Sequence, residues 1–292
     1  MAMKRGSNWR AYLFIAPAVG VLAITSLYPI VYSVVLSFFD WDWGADMAFV
    51  GLANYTRLLS DSRFWTILGN TLYFTVGAVV LEFVLGFALA LAVSRITVGA
   101  GIIRTMLLTP LMISGIIVAL IWKILLDPTL GIVNYLLRVV GLPQSAFFGA
   151  SSSAMPSIIM IDTWWQTAFV FIVLLAGLQS MPREPFEAAQ VDGANRWQQF
   201  CHLTLPLLRP VIFIVLIFRT IDCLKVFALV FGTTNGGPGI STEVAQTLAY
   251  RTAFKVQELS EAMAIMVLFA IMIFALCLVY IRFGQGPDTA TE

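Results

Sequence analysis

The 292-residue chain is 60% hydrophobic and only 11% charged, with a formal net charge of +1. A soluble domain holds about 45–50% apolar and about 25% charged residues, so a soluble enzyme is excluded. A disordered chain, polar and highly charged, is excluded by the same figures, and no excess of positive charge exists to hold nucleic acid.

A helix that crosses a bilayer needs about 20 mostly apolar residues. Six stretches meet that need, at about 12–39, 66–94, 105–126, 157–180, 207–231 and 261–283. They predict an all-α, polytopic membrane protein with six transmembrane helices in a single transmembrane domain over 1–292. The first stretch is too long for a cleaved signal peptide and reads as a crossing. Lys4, Arg5, Arg10, Arg95, Arg104, Arg183, Arg196, Arg209 and Arg282 fall on one side of such a bundle. Only Arg57, Arg63, Arg138, Arg251 and Lys255 fall on the other, where most loop acids also lie. The basic side is cytoplasmic by the positive-inside rule, and so are both termini and the loops 95–104 and 181–206. Segments 40–65, 127–156 and 232–260 are then outside. The tail 284–292 is short and polar. No tandem repeat is visible, so the usual pointer to an inverted-repeat transporter is missing.

Ionisable residues inside spans are costly and face a bundle interior or a wet cavity. Here they are Glu82, Lys123, Asp162, Arg219, Asp222 and Lys225. Arg219, Asp222 and Lys225 recur every three residues, so Asp222 can pair with a cation one turn to either side. Two readings stand for this trio: a self-neutralising structural network, and part of a translocation path. Asp162, Trp164, Trp165 and Gln166 combine stacking faces with hydrogen-bonding groups, as a path for sugars requires; the alternative is an aromatic belt at the membrane interface. Trp122 and Lys123 read as interfacial anchors. Gly77, Gly86, Ala88, Ala90 and Ala92 allow close helix packing. Cys201, Cys223 and Cys277 read as small packing residues, and His202 has no second histidine with which to hold a metal.

The cytoplasmic segment 181–206 reads as helix–turn–helix on the membrane surface. Pro185 suits a first helical turn, Glu184 and Glu187 complement the positive end of the helix dipole, and Gly193 ends the helix at a positive φ. A second short helix over about 195–202 presents Trp197 and Phe200, after which Pro206 and Pro210 return the chain to the bilayer. Exposed aromatics there imply a docking surface.

Glu187-Ala188-Ala189, Gly193 after three intervening residues, and Leu203, Leu205 and Pro206 beyond it resemble the EAA loop of binding-protein-dependent ABC importer permeases. Asp192-Gly193-Ala194 matches the form common in sugar importers. Ala16-Pro17, Tyr28-Pro29, Gly51-Leu52-Ala53-Asn54-Tyr55, Asn70-Thr71, Phe218–Asp222, Gly236-Gly237-Pro238-Gly239 and Thr242 resemble the carbohydrate branch, of maltose and glycerol-phosphate type. The likeness covers nearly the whole chain; Ala228 departs from it, where relatives often carry aspartate.

The resemblance implies a heterodimer with a second six-span permease and a dimer of ATP-binding cassette subunits. It also implies an extracytoplasmic solute-binding protein, a sugar substrate and a bacterial or archaeal cytoplasmic (inner) membrane. Glu187, Ala188, Ala189, Asp192, Gly193, Ala194, Leu205 and Pro206 would couple to the ATPase. ATP and magnesium would be bound by that partner: this chain has no phosphate-binding loop, no cofactor motif, no catalytic constellation and no zinc motif. A polyol or glycerol phosphate is the alternative cargo, with Arg219 and Lys225 as its cations. An ion-coupled secondary transporter is less well supported, since it leaves the loop unexplained.

Overall fold

The computed structural model describes residues 9–44, 46–96 and 98–284. Lys4, Arg5 and the tail beyond residue 284, used above for orientation, lie outside the described residues. The described residues are mostly helical, with one two-residue antiparallel pairing of β1 (Phe39–Asp40) with β2 (Ala48–Phe49). The described residues form two compact units, one of the segment up to Asp61 with Ala249–Ala270 and one of Ser62–Leu248 with the segment from Ile271 onward.

In the smaller unit, α1 (Trp9–Leu22) and α2 (Tyr28–Leu36) join through a π-helical turn, Ala23–Leu27. Pro29 explains the turn: it has no N–H to give and its ring crowds the carbonyl four residues back, so the helix widens instead of breaking. Along α1 and α2 apolar side chains such as Phe14, Ile24 and Leu27 stand exposed, as they do on a helix that faces lipid. Beyond the hairpin, α3 (Ala53–Ser60) is fastened by Asn54, whose side chain donates to the carbonyls of Ser37 (3.0 Å) and Phe39 (2.8 Å). Leu36, Ala253, Leu259 and Ala262 form the small core, flanked by Trp41 and Met263.

The larger unit is built on α4 (Ser62–Ser94) and, after α5 (Ala100–Leu108), α6 (Gly115–Leu125) and α7 (Ile132–Val139), on α8 (Ser151–Gln179). Helices α4 and α8 pack closely because Gly77 and Gly86 have no side chains. A Cβ at these positions would come within 2.9 Å of Ile159 and 2.7 Å of Val170. Ala90 is buried on the same helix, whereas Ala88 and Ala92 are exposed. A turn over α9 (Glu184–Val191) and α10 (Arg196–Gln199) leads to α11 (Leu205–Leu224) and the short α12 (Ala228–Thr233), which packs against α6. Helix α13 (Ala245–Arg251), a π-helical turn (Thr252–Val256) and α14 (Leu259–Gly284) complete the chain.

Among the described residues, four helices are long and apolar enough to cross a membrane, and a fifth if the two halves of one bent pair count together. Two expected crossings take a different form. The stretch 105–126 belongs to that pair: Ala100–Met112 and Gly115–Leu125 meet at 93°, with Pro110 in the last turn before the bend. The stretch 207–231 divides at Lys225 into α11, which carries Arg209, Arg219 and Asp222, and α12.

Between α6 and α8 the chain makes a rigid platform. Asp127 Oδ1 accepts hydrogen bonds from the Thr129 and Leu130 amides and the Thr129 hydroxyl, at 2.8–2.9 Å. These bonds hold its carboxyl below the usual aspartate range. Gly131 sits so close to the backbone of Leu125 and Asp127 that a Cβ would lie 2.4 Å from the Asp127 carbonyl oxygen. Asn134, buried, donates to Pro128 and Ser145 carbonyls and accepts from the Ser145 amide.

Candidate functional site

The loop between α8 and α11 is built from local rules. Pro185 stands at the start of α9, with Glu184 and Glu187 in the first turn. At the other end the Ala194 amide donates to the Ala189 carbonyl (2.8 Å) and the Gly193 amide to Gln190 (3.1 Å), the pair of bonds that closes a Schellman motif. That motif needs a left-handed residue, and Gly193 has φ +76°. Open space surrounds the missing Cβ, so glycine serves the backbone angle and not packing. Asp192 and Ala194 flank it as helix cap and exit residue.

Asn195 then opens α10 with a reciprocal capping box: the Gln198 amide donates to Asn195 Oδ1 (2.9 Å) and the Asn195 amide to Gln198 Oε1 (2.8 Å). The second helix does not end near residue 202. It passes through a π-helical turn, Phe200–Thr204, straight into Leu205 and Pro206 of α11. Pro206 stands two residues beyond the turn, as Pro29 does beyond its own; the prolines widen the helix without ending it. A cleft of about 380 Å³ between α9 and α10 is lined by Ala189, Asp192, Gly193, Ala194, Gln198 and His202. Glu187 and Ala188 are exposed beside it, and Trp197 is 71% exposed.

The second site lies where α4, α8 and α11 meet. Arg219, 3% exposed, reaches across to Glu82 on α4, with Nε–Oε2 2.6 Å and Nη2–Oε1 2.8 Å. Its Nη2 also donates to Asp162 Oδ2 on α8 (3.0 Å) and to Cys223 Sγ (3.1 Å). Nη1 pairs with Asp222 one turn along α11. A guanidinium has five N–H donors, and four of them are now engaged. Glu82 and Asp162 are buried, so this ion network is sealed on all arms but one: the Asp222 side chain is 63% exposed.

That exposed arm opens into a cavity of about 330 Å³ lined by Asp162, Trp165, Gln166, Arg219, Asp222 and Lys225, with Ala228 among the remaining residues. Six of the seven path residues singled out above therefore converge. Trp164 does not join them: it stacks edge-on with Trp122 and lines a separate apolar groove of about 650 Å³ beside Leu81, Met106 and Phe171. Lys225 makes no ion pair among the described residues, so Asp222 is bridged to Arg219 and not to cations on both sides. The Trp165 indole N–H is shielded from solvent without an acceptor among the described residues. Glu82 anchors the network, a role its position in the sequence did not reveal, and Cys223 accepts a hydrogen bond where a packing role was expected. Ligand atoms of Glu82, Asp162 and Cys223 lie within 4.8 Å of one another, a donor set of metal type. Arg219 bonds to all three, so a cation there would meet a full positive charge.

Residues 82–285 match the family described as "Binding-protein-dependent transport system inner membrane component". The chain is 37% identical over 90% of its length to a probable ABC transporter permease, y4oQ of Sinorhizobium fredii, covering 86% of that protein. It is 34% identical over 94% of its length to the trehalose/maltose transport system permease protein MalF of Thermococcus litoralis, covering 93% of it. The crystal structure of a bacterial ABC transporter involved in import of the acidic polysaccharide alginate superposes with a TM-score of 0.84 at 25% identity, over 97% of each chain. The extent of these matches establishes that the chain belongs to the binding-protein-dependent transport family of inner membrane components and is an ABC transporter permease subunit.

Proposed function

We propose that this chain forms half of the translocation path for a sugar in an ATP-driven importer of the cytoplasmic membrane. A second, homologous six-span permease supplies the other half, two ATP-binding cassette subunits hydrolyse ATP, and an extracytoplasmic binding protein delivers the cargo. The chain crosses the bilayer six times with both termini in the cytoplasm; the bent α5–α6 pair and α11 supply the third and fifth crossings. The α9–α10 loop seats against a cassette subunit with Glu187 as its charged contact, so that motion there moves α11.

The observation that carries the cargo reading is the cavity beside Asp222. It joins an aromatic face, Trp165, to the Gln166 amide and an exposed carboxylate, the groups that take a sugar ring and its hydroxyls. Two carboxylates and two cations line it, and Glu82 stands behind Arg219. Counted as three carboxylates against Arg219 and Lys225, the site carries no excess of positive charge. Arg219 is spent on its own network, which leaves a phosphorylated cargo only Lys225; an uncharged sugar or polyol fits better than glycerol phosphate.

Uptake of labelled trehalose or maltose by the complex, purified with its partners and returned to vesicles, tests the assignment. Trp165→Ala is expected to raise the KM of uptake while the ATPase still co-purifies. Gly193→Asp is expected to abolish uptake with insertion intact. Unchanged uptake in both variants sinks the roles given to cavity and loop.

A further inference from the structure

The platform between α6 and α8 has a bare face that the transport reading does not use. Leu130, Ile132, Tyr135, Leu136, Val139 and Val140 are all exposed, Leu130 to 91%. Along α7 they fall at helical spacing on one side, while Val133, Asn134 and Leu137 hold the other side to the fold. Asp127 and Gly131 fix the turn that leads into α7, and Asn134 ties its first turn to Pro128 and to Ser145 beyond its end.

We infer that α7 lies in the membrane–water interface, with this row among the outer acyl chains and Arg138 at the level of the phosphates. The inference rests on the reading that α6 ends a crossing near residue 126. Charge selects the occupant. No carboxylate lies on the bare face, and the one acid nearby, Asp127, has Oδ1 turned into its own turn. The exposed charge is Arg138, whose guanidinium lies 5.8 Å from the centre of the Tyr135 ring. A cation beside an amphipathic aromatic is the pairing that suits a phosphate layer above a hydrocarbon one. On α6 as well, Ile117, Leu120, Ile121 and Ile124 are exposed at the same spacing, with a second exposed cation, Lys123, near the end of that helix.

The test uses the whole transporter in nanodiscs of phosphatidylcholine with phosphatidylglycerol, its permease carrying Cys201→Ala and Cys277→Ala so that only the buried Cys223 remains. A fluorescent thiol probe is placed at Val139→Cys, and in a second preparation at Gln144→Cys, an exposed polar site on the following loop. The Val139 probe is expected to lose roughly half of its emission to lipids spin-labelled near the headgroup and little to aqueous iodide, with the reverse at Gln144. Strong iodide quenching at both sites overturns the inference in favour of water. Shielding of Val139 from lipid and iodide alike overturns it in favour of a protein partner. Co-purification of the cassette ATPase with each labelled complex is scored separately, so that neither result bears on the importer reading.

Discussion

Arg219 is held by three carboxylates and a thiol drawn from three helices, and its arms differ in what they cost to lose. Removing it leaves Glu82 and Asp162 buried without a counter-charge, which costs about 3–5 kcal/mol in comparable sites. The Asp222 arm is exposed and screened, so its loss costs about 1 kcal/mol or less. Arg219→Ala is therefore expected to lower the thermal midpoint of the detergent-purified complex sharply, and Asp222→Asn scarcely. Equal effects in a heating series followed by size-exclusion chromatography would contradict the sealed network. The sequence named all four charged residues of this network and, from their spacing, the pair Arg219–Asp222, but not the pairing of Arg219 with Glu82 or Asp162. Glu82 and Arg219 are separated by 137 positions, and nothing local reports a contact at that distance. Trp164 and Trp165 show the same limit: adjacent on α8, they point about 100° apart. Only the packed structure tells which of the two faces the cavity.

At the scale of single elements, what was legible was what local chemistry dictates. Pro185, the first-turn glutamates and Gly193 marked the two ends of α9, because capping and left-handed turns depend on neighbours in sequence. The 93° bend within 100–125 and the break at Lys225 were not read, since an apolar run has no period that reveals a change of direction. The platform before α7 offers a test of an element by pH. Folding lowers the Asp127 carboxyl below its ordinary value, so the cap it forms is complete above the unfolded aspartate range. The cap is lost only as pH falls through the lowered folded value. Amide exchange at Thr129 and Leu130, corrected for intrinsic rates, is expected to stay slow at neutral pH and to accelerate on strong acidification. In Asp127→Ala the same amides are expected to exchange fast at every pH, with no such step.

For the whole molecule, the count of crossings decides which groups share a side of the membrane. Helix α11 carries three charges in 20 residues and yet must cross if the loop and the Gly236–Gly239 turn are to lie on opposite faces. Single cysteines at Gln144, Gln190 and Asn235 are expected to divide under an impermeant thiol reagent applied to intact cells. Gln144 and Asn235 would react from outside, and Gln190 only after the membrane is opened. Labelling of Gln190 and Asn235 from the same side would remove the fifth crossing and with it the path between loop and cavity.

The π-helical turn at Phe200–Thr204 absorbs a residue as well as making a connection. An α-helix advances about 100° per residue, and a π turn holds one residue more than the α-helical path it replaces. Shortening that turn by a single residue would therefore restore an ordinary α-helical turn and leave α10, and Trp197 with it, facing nearly as before. The same deletion in a regular stretch of α11 would turn everything before it by about 100°. One turn thus holds a residue in reserve: a lineage could lose a position there and keep both the facing of α10 and the charged network on α11 as they stand.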